Sequence, residues 1–176
     1  MEWLKIKIKK TLARLKQYFV SDTNKFLTTN ALLMGKILSK NNANQFYNHI
    51  NEAEFKVFSQ WGDDGIIQYL ISKIEVSKKI FIEFGVENYT ESNTRFLLVN
   101  NNWTGLVMDG SEDHINYIKN DEIYWKFDLI AKCAFITAEN INQLIKGEGF
   151  EGDIGILHID IDGNDLKEMG YNGKEI

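Results

Sequence analysis

A chain of 176 residues, 44% hydrophobic and 26% charged, has the length of one ordinary domain plus an extension, and its globular composition excludes wholesale disorder. A net charge of −5 argues against a nucleic-acid binder that works through overall charge, and the single cysteine, Cys133, excludes an internal disulfide framework and suits a reducing compartment. No apolar run reaches the length of a membrane span, and lysines interrupt the stretch where a signal peptide needs its apolar core, so the expected location is cytoplasmic.

The charge is unevenly spread. Residues 1–19 carry Lys5, Lys7, Lys9, Lys10, Arg14 and Lys16 against Glu2 alone, a net of +5, which leaves −10 for the remainder. Within this basic arm Leu4, Ile8, Leu12, Leu15 and Phe19 recur at helical spacing and form one apolar stripe. Two readings are open: a helix packing on its own domain or on a partner, and a cationic amphipathic helix, with Trp3, lying on the inner face of an anionic membrane. Residues 20–57 read as further helix with polar breaks such as 39–44, which makes 1–57 a helical N-terminal extension. Asp63 and Asp64 precede Ile66, Ile67, Leu70 and Ile71 and read as a helix start, where carboxylates stabilise exposed N–H groups.

From Lys79 onward short apolar runs alternate with helical patterns. Strands are predicted at 80–84, 106–108, 130–136 and 154–160, and helices at 92–101, 112–119 and from Thr137 through Ile145 with a cap-like Thr137–Asn140 start. Such alternation predicts an α/β fold, a Rossmann-like parallel sheet of four strands with helices on both faces. Ligands of these sheets bind at the carboxyl ends of the strands.

Three segments carry candidate chemistry. Ile80–Phe84 carries Glu83 next to its end and is followed by Gly85; the glycine lets backbone approach a ligand, and Glu83 alternates onto the face opposite Ile82 and Phe84. Glu87 and Tyr89 stand where a dinucleotide-binding loop wants further glycines. Asp109, followed by Gly110, ends the second strand, where nucleotide-binding βαβ units hold ribose hydroxyls; a carboxylate accepts two hydrogen bonds side by side, as a vicinal diol requires. His158, Asp160 and Asp162 alternate onto one face of the fourth strand, a pair of carboxylates suited to proton removal. Oxygen-rich side chains there also suit a hard divalent cation, with no ligand set that fixes one. Cys133 reads as a small core residue, and His49 and His114 as solvent-facing.

The segments FSQWGDDGII, FIEFGVENYTESNTRFLL, WTGLVMDGSE, FITAENINQLI and LHIDIDGND, in this order and spacing, resemble class I S-adenosylmethionine (SAM)-dependent methyltransferases, and within them the FkbM-like family and its bacterial relatives associated with surface polysaccharides. The resemblance runs from Phe58 to Asp165. It implies that Glu83 and Gly85 line the methionine part of SAM, that Asp109 with Gly110 holds the ribose, and that Asp160 and Asp162 face the transferred methyl or a saccharide acceptor. The implied activity is O-methylation of a sugar hydroxyl. After Asp165 relatives continue with an aromatic-rich helix and three further strands, whereas LKEMGYNGKEI follows here. The resemblance therefore implies a truncated core at 58–165 with a tail at 166–176. Its fourth strand, bearing Ile154, Ile156, Leu157 and Ile159, is then expected at an edge open to self-association.

Overall fold

The computed structural model describes residues 2–160. Helix α1 spans Glu2–Ala43, a 3-10 turn Ile50–Ala53, and α2 Asp63–Lys73. Then follow β1 Ile80–Phe84, α3 Arg95–Asn101, β2 Thr104–Asp109, α4 Glu112–Asn120, α5 Glu122–Lys126, β3 Leu129–Cys133, α6 Ile141–Gly147 and β4 Ile156–Ile159. The four strands form one parallel sheet, as the alternating pattern predicts, and their order is β3-β2-β1-β4.

Period-2 alternation splits the core into two layers. Phe81, Val107, Leu129 and Ala131 face the side covered by α2 to α5, where they meet Tyr89, Leu97, Leu98, Trp103, Ile115 and Ile118. Ile82, Phe84, Leu106 and Met108 face the other side, against Ile136, Ile145 and Phe150 around α6. Each buried aliphatic side chain contributes roughly 1.5–3 kcal/mol by leaving water. β1, buried along nearly its whole length, is the spine of the sheet. Among the described residues β4 is the outer strand beside β1, and its Leu157 is exposed.

The sequence reading differs from the structure at several places. The predicted strand at 130–136 stops at Cys133: Ala134 still donates its N–H to the carbonyl of Asp109 at 3.0 Å, Phe135 and Ile136 then leave the sheet, and all three wall a cleft. Cys133 therefore sits exposed at a strand end instead of in the core, its thiol 3.6 Å from the carbonyl of Gly110. α1 runs unbroken through the polar stretch that follows Leu38, and residues 44–57 hold no helix beyond the 3-10 turn. Tertiary bonds shape that segment: Asn42 Nδ2 donates to the carbonyl of Ala53 at 2.8 Å, and Tyr47 Oη donates to Asn42 Oδ1 at 2.8 Å.

Asp64 also has a different task from the one its helix-start position suggests. Its Oδ2 accepts from the N–H groups of Val57, Phe58 and Ser59 at 2.7–2.9 Å and from Ser59 Oγ at 3.0 Å. The carboxylate thus folds the preceding loop onto the start of α2, where Gly62 takes the N-cap with φ +111°.

Candidate functional site

All four strands deliver residues to one cleft of about 520 Å³ at the carboxyl end of the sheet. Gly85 and Val86 follow β1, Asp109 and Gly110 close β2, Ala134 to Ile136 follow β3, and Asp160 follows β4. This size lies within the roughly 300–1,000 Å³ of small-molecule sites, and the place is the one such sheets use.

The turn after β1 sets the floor. Gly85 has φ +72°, and its N–H donates to the carbonyl of Met108 at 3.0 Å. Glu87 (φ +48°) and Tyr89 (φ +65°) then adopt the left-handed conformation, at the two positions where the sequence pattern calls for glycine. Surrounding bonds hold this costly backbone in place. Tyr89 is fully buried with its Oη 3.1 Å from Thr94 Oγ1, and Arg95 Nη1 donates to its carbonyl at 2.8 Å.

The left-handed turn presents the N–H of Glu87 to Asp109 Oδ2, at 2.8 Å. Asp109 Oδ1 accepts from the N–H of Ser111 at 2.8 Å and lies 3.0 Å from His114 Nδ1. One carboxylate thus ties the β1 turn to the start of α4. The geometry leaves acceptor capacity on Oδ2, while Oδ1 is engaged twice. His114 does not face away into solvent: it lines the cleft over Asp109, with its side chain 41% exposed.

Glu83 is buried at the base of the cleft. Its Oε1 accepts from the N–H of Asn93 at 3.1 Å, and its Oε2 from the N–H of Thr94 at 3.2 Å and from Thr94 Oγ1 at 2.5 Å. Glu83 thereby anchors the residues that open α3. Burial pushes its carboxyl above the usual glutamate range, opposed by His158 and by the bonds from Thr94 and Asn93. His158 Nδ1 lies 3.4 Å from Glu83 Oε1, buried and without a hydrogen-bond partner among the described residues, while its Nε2 is 3.1 Å from Asn93 Nδ2.

Asp160 extends the pairing of β4 through an N–H that donates to the carbonyl of Phe84 at 3.2 Å, and it lines the cleft as an exposed residue. Asp162 lies outside the described residues. Gly110 lines the cleft beside Phe135; a Cβ there would meet only the Phe135 ring, at 4.0 Å. Among the described residues no group of three His, Cys, Asp or Glu side chains converges to hold a metal ion.

Among the lining residues that the sequence reading did not place at the site are His114, Phe135 and Trp61, the last two each 83% exposed at the cleft. For His114 a signal existed. Ser111 caps α4 and residue 114 is three positions on, so its side chain leans back toward the helix start and the strand end before it.

The charge of the cleft is one-sided. Asp63, Glu83, Glu87, Glu91, Asp109 and Asp160 line it, and among the described residues no lysine or arginine does. Comparison of the chain with protein-family models, with curated proteins and with solved structures returns no match.

Proposed function

We propose that the cleft binds SAM and that the chain is a methyltransferase acting on a hydroxyl oxygen, with a sugar as the acceptor. The observation that carries this reading is the acidic lining at the carboxyl end of a parallel sheet. A dinucleotide brings a pyrophosphate, which the six lining carboxylates repel. SAM brings a sulfonium and an ammonium, which the same lining attracts.

The residues present fit that ligand. Asp109 Oδ2 offers its remaining lone pair to a ribose hydroxyl, and Oδ1 becomes available to the second hydroxyl when His114 swings off it. The exposed ring of Phe135, beside Gly110, offers a stacking face to an adenine. Glu83 and Asp160 bracket the β1 end of the cleft, where an ammonium finds its acceptors. SAM, when bound, would supply an electrophilic methyl, and the acceptor hydroxyl would give up its proton. Asp160, with Asp162, is assigned to take that proton, and orientation of the acceptor supplies much of the rate. A reducing, cytoplasmic setting suits the single exposed thiol of Cys133.

A second reading has one observation in its favour. Glu83 and Asp109 already accept from protein N–H groups, so both also serve as structural ties in a cleft that binds without transferring. Incubation with methyl-labelled SAM and a panel of sugar acceptors separates the two. Label appearing on an acceptor hydroxyl, and lost in Asp160→Asn, supports transfer. SAM binding with no label transferred to any acceptor supports the binding module.

A further inference from the structure

The apolar stripe of α1 turns away from its own fold. At about 100° per residue, Ile8, Leu12, Leu15, Phe19, Phe26, Leu33 and Ile37 fall within an arc of about 60°, and all seven are exposed. Where α1 meets the body it uses the opposite side. Gly35 is buried so closely that an added Cβ would lie 2.5 Å from Val57 Cγ2 and 2.9 Å from Phe96 Cζ. Asn42 is buried on the same side and bonds to Ala53 and Tyr47. These two positions point about 150–170° from the centre of the stripe. Leu33 and Ile37 flank Gly35 in sequence, yet they are 54% and 60% exposed. Docking of α1 at residues 31–43 therefore turns the stripe outward there; toward the N-terminus the described side chains of residues 6–30 are exposed on every side, and among the described residues nothing covers the stripe.

Charge selects the occupant. α1 carries Lys5, Lys7, Lys9, Lys10, Arg14, Lys16, Lys25, Lys36 and Lys40 against Glu2 and Asp22, a net of +7, so the rest of the chain carries −12. Two copies joined stripe to stripe bring like charges together with few acids to bridge them. The seam also places Asp22 and Thr29 where a coiled coil wants apolar residues. An anionic bilayer complements the helix, and it leaves the acidic body on the far side, away from the lipid charge. No helix among the described residues is long and apolar enough to cross a membrane, so contact runs along the surface.

We propose that α1 is a membrane-surface anchor. Its stripe settles into the headgroup region of an anionic bilayer, its lysines and arginine meet the lipid phosphates and carboxylates, and the body is held on the opposite side of the helix. This proposal is independent of what the cleft binds.

Flotation of the full chain with phosphatidylcholine vesicles, with and without about 30 mol% phosphatidylserine, tests it at about 0.05 M and about 0.5 M salt. The expected result is binding to the anionic vesicles only, weakened at least about tenfold by the higher salt. Lys9→Glu with Lys10→Glu lowers affinity by about fivefold or more per residue. Leu12→Gln with Leu15→Gln, which leaves the charge of α1 unchanged, abolishes binding. All four positions lie on the exposed part of α1, so the body of both variants stays folded. Equal binding to neutral and anionic vesicles overturns the proposal, as does unchanged binding of either variant. So does an absence of vesicle binding together with a concentration-dependent dimer that Leu12→Gln with Leu15→Gln dissolves, which would make a second copy the occupant.

Discussion

The backbone N–H of Glu87 donates to Asp109 Oδ2 at 2.8 Å, and it reaches that oxygen because Glu87 sits in the left-handed conformation at φ +48°. A strained turn after β1 and a carboxylate at the end of β2 are thus one unit. Glycine at position 87 would keep the N–H in place without the clash between Cβ and carbonyl that left-handed backbone imposes on other residues. Glu87→Gly is expected to raise stability in urea unfolding by about 0.5–1 kcal/mol, the strain relieved less the entropy that glycine loses. Glu87→Ala removes the same charge but keeps the Cβ, and is expected to bring no such gain. Equal gains in both variants would assign the effect to repulsion among the cleft carboxylates.

Asp109→Ala removes the acceptor for the N–H groups of Glu87 and Ser111 together. The expected loss of stability is about 1–3 kcal/mol by urea unfolding, the usual cost of leaving part-buried donors unpaired. Asp109→Asn keeps one acceptor oxygen and is expected to lose less. Binding experiments on these variants therefore need their folded fraction measured alongside.

The buried carboxyls set a pH dependence whose sign follows from their environment. Burial raises both Glu83 and Asp64 above their ordinary values, so the folded state holds these protons more tightly than the unfolded chain does. Their favourable contribution is complete below the unfolded values, about 4, and is lost as pH rises through the folded ones. Glu83→Gln removes one of the two and leaves His158 and Tyr89 beside an uncharged amide. Its melting temperature relative to the unsubstituted chain is expected to increase as pH rises from about 4 to about 7. A difference that stays flat or falls over that interval would mean that the Thr94, Asn93 and His158 contacts outweigh burial.

Gly35 is the contact that seats α1 on the body. Gly35→Val drives a branched side chain into Val57 and the Phe96 ring and is expected to cost about 1–3 kcal/mol, beyond what better helix propensity returns. Limited proteolysis should then cut the segment between α1 and α2 faster in the variant, whereas an unchanged cleavage rate would show that α1 is seated by Asn42 and its partners alone.

Much of the sheet was legible because its signals are local. Ile80–Phe84 is an apolar run of strand length, and Asp109 follows the first loop at the spacing of a βαβ unit. Glu87 and Tyr89 were legible as positions that want glycine, and the backbone bends there although neither residue favours it. What the sequence hides is set by distant partners. Nothing near Asp64 announces that its carboxylate will gather three N–H groups from the loop before it. The apolar run through Ile136 reads as strand because sequence cannot show that Phe135 leaves the sheet to stand exposed at a cleft. The stripe of α1 is equally plain in sequence, but only the buried Gly35 on its far side reveals that it faces outward.

Calorimetric titration of SAM into the full chain, beside Asp109→Ala at matched folded fraction and beside a nicotinamide dinucleotide as competing ligand, tests the assignment of the cleft most directly. The account predicts saturable one-site binding of SAM, weakened about five- to a hundredfold by the substitution, and no measurable binding of the dinucleotide. No saturable heat with SAM, the same affinity in Asp109→Ala, or tighter binding of the dinucleotide would contradict it.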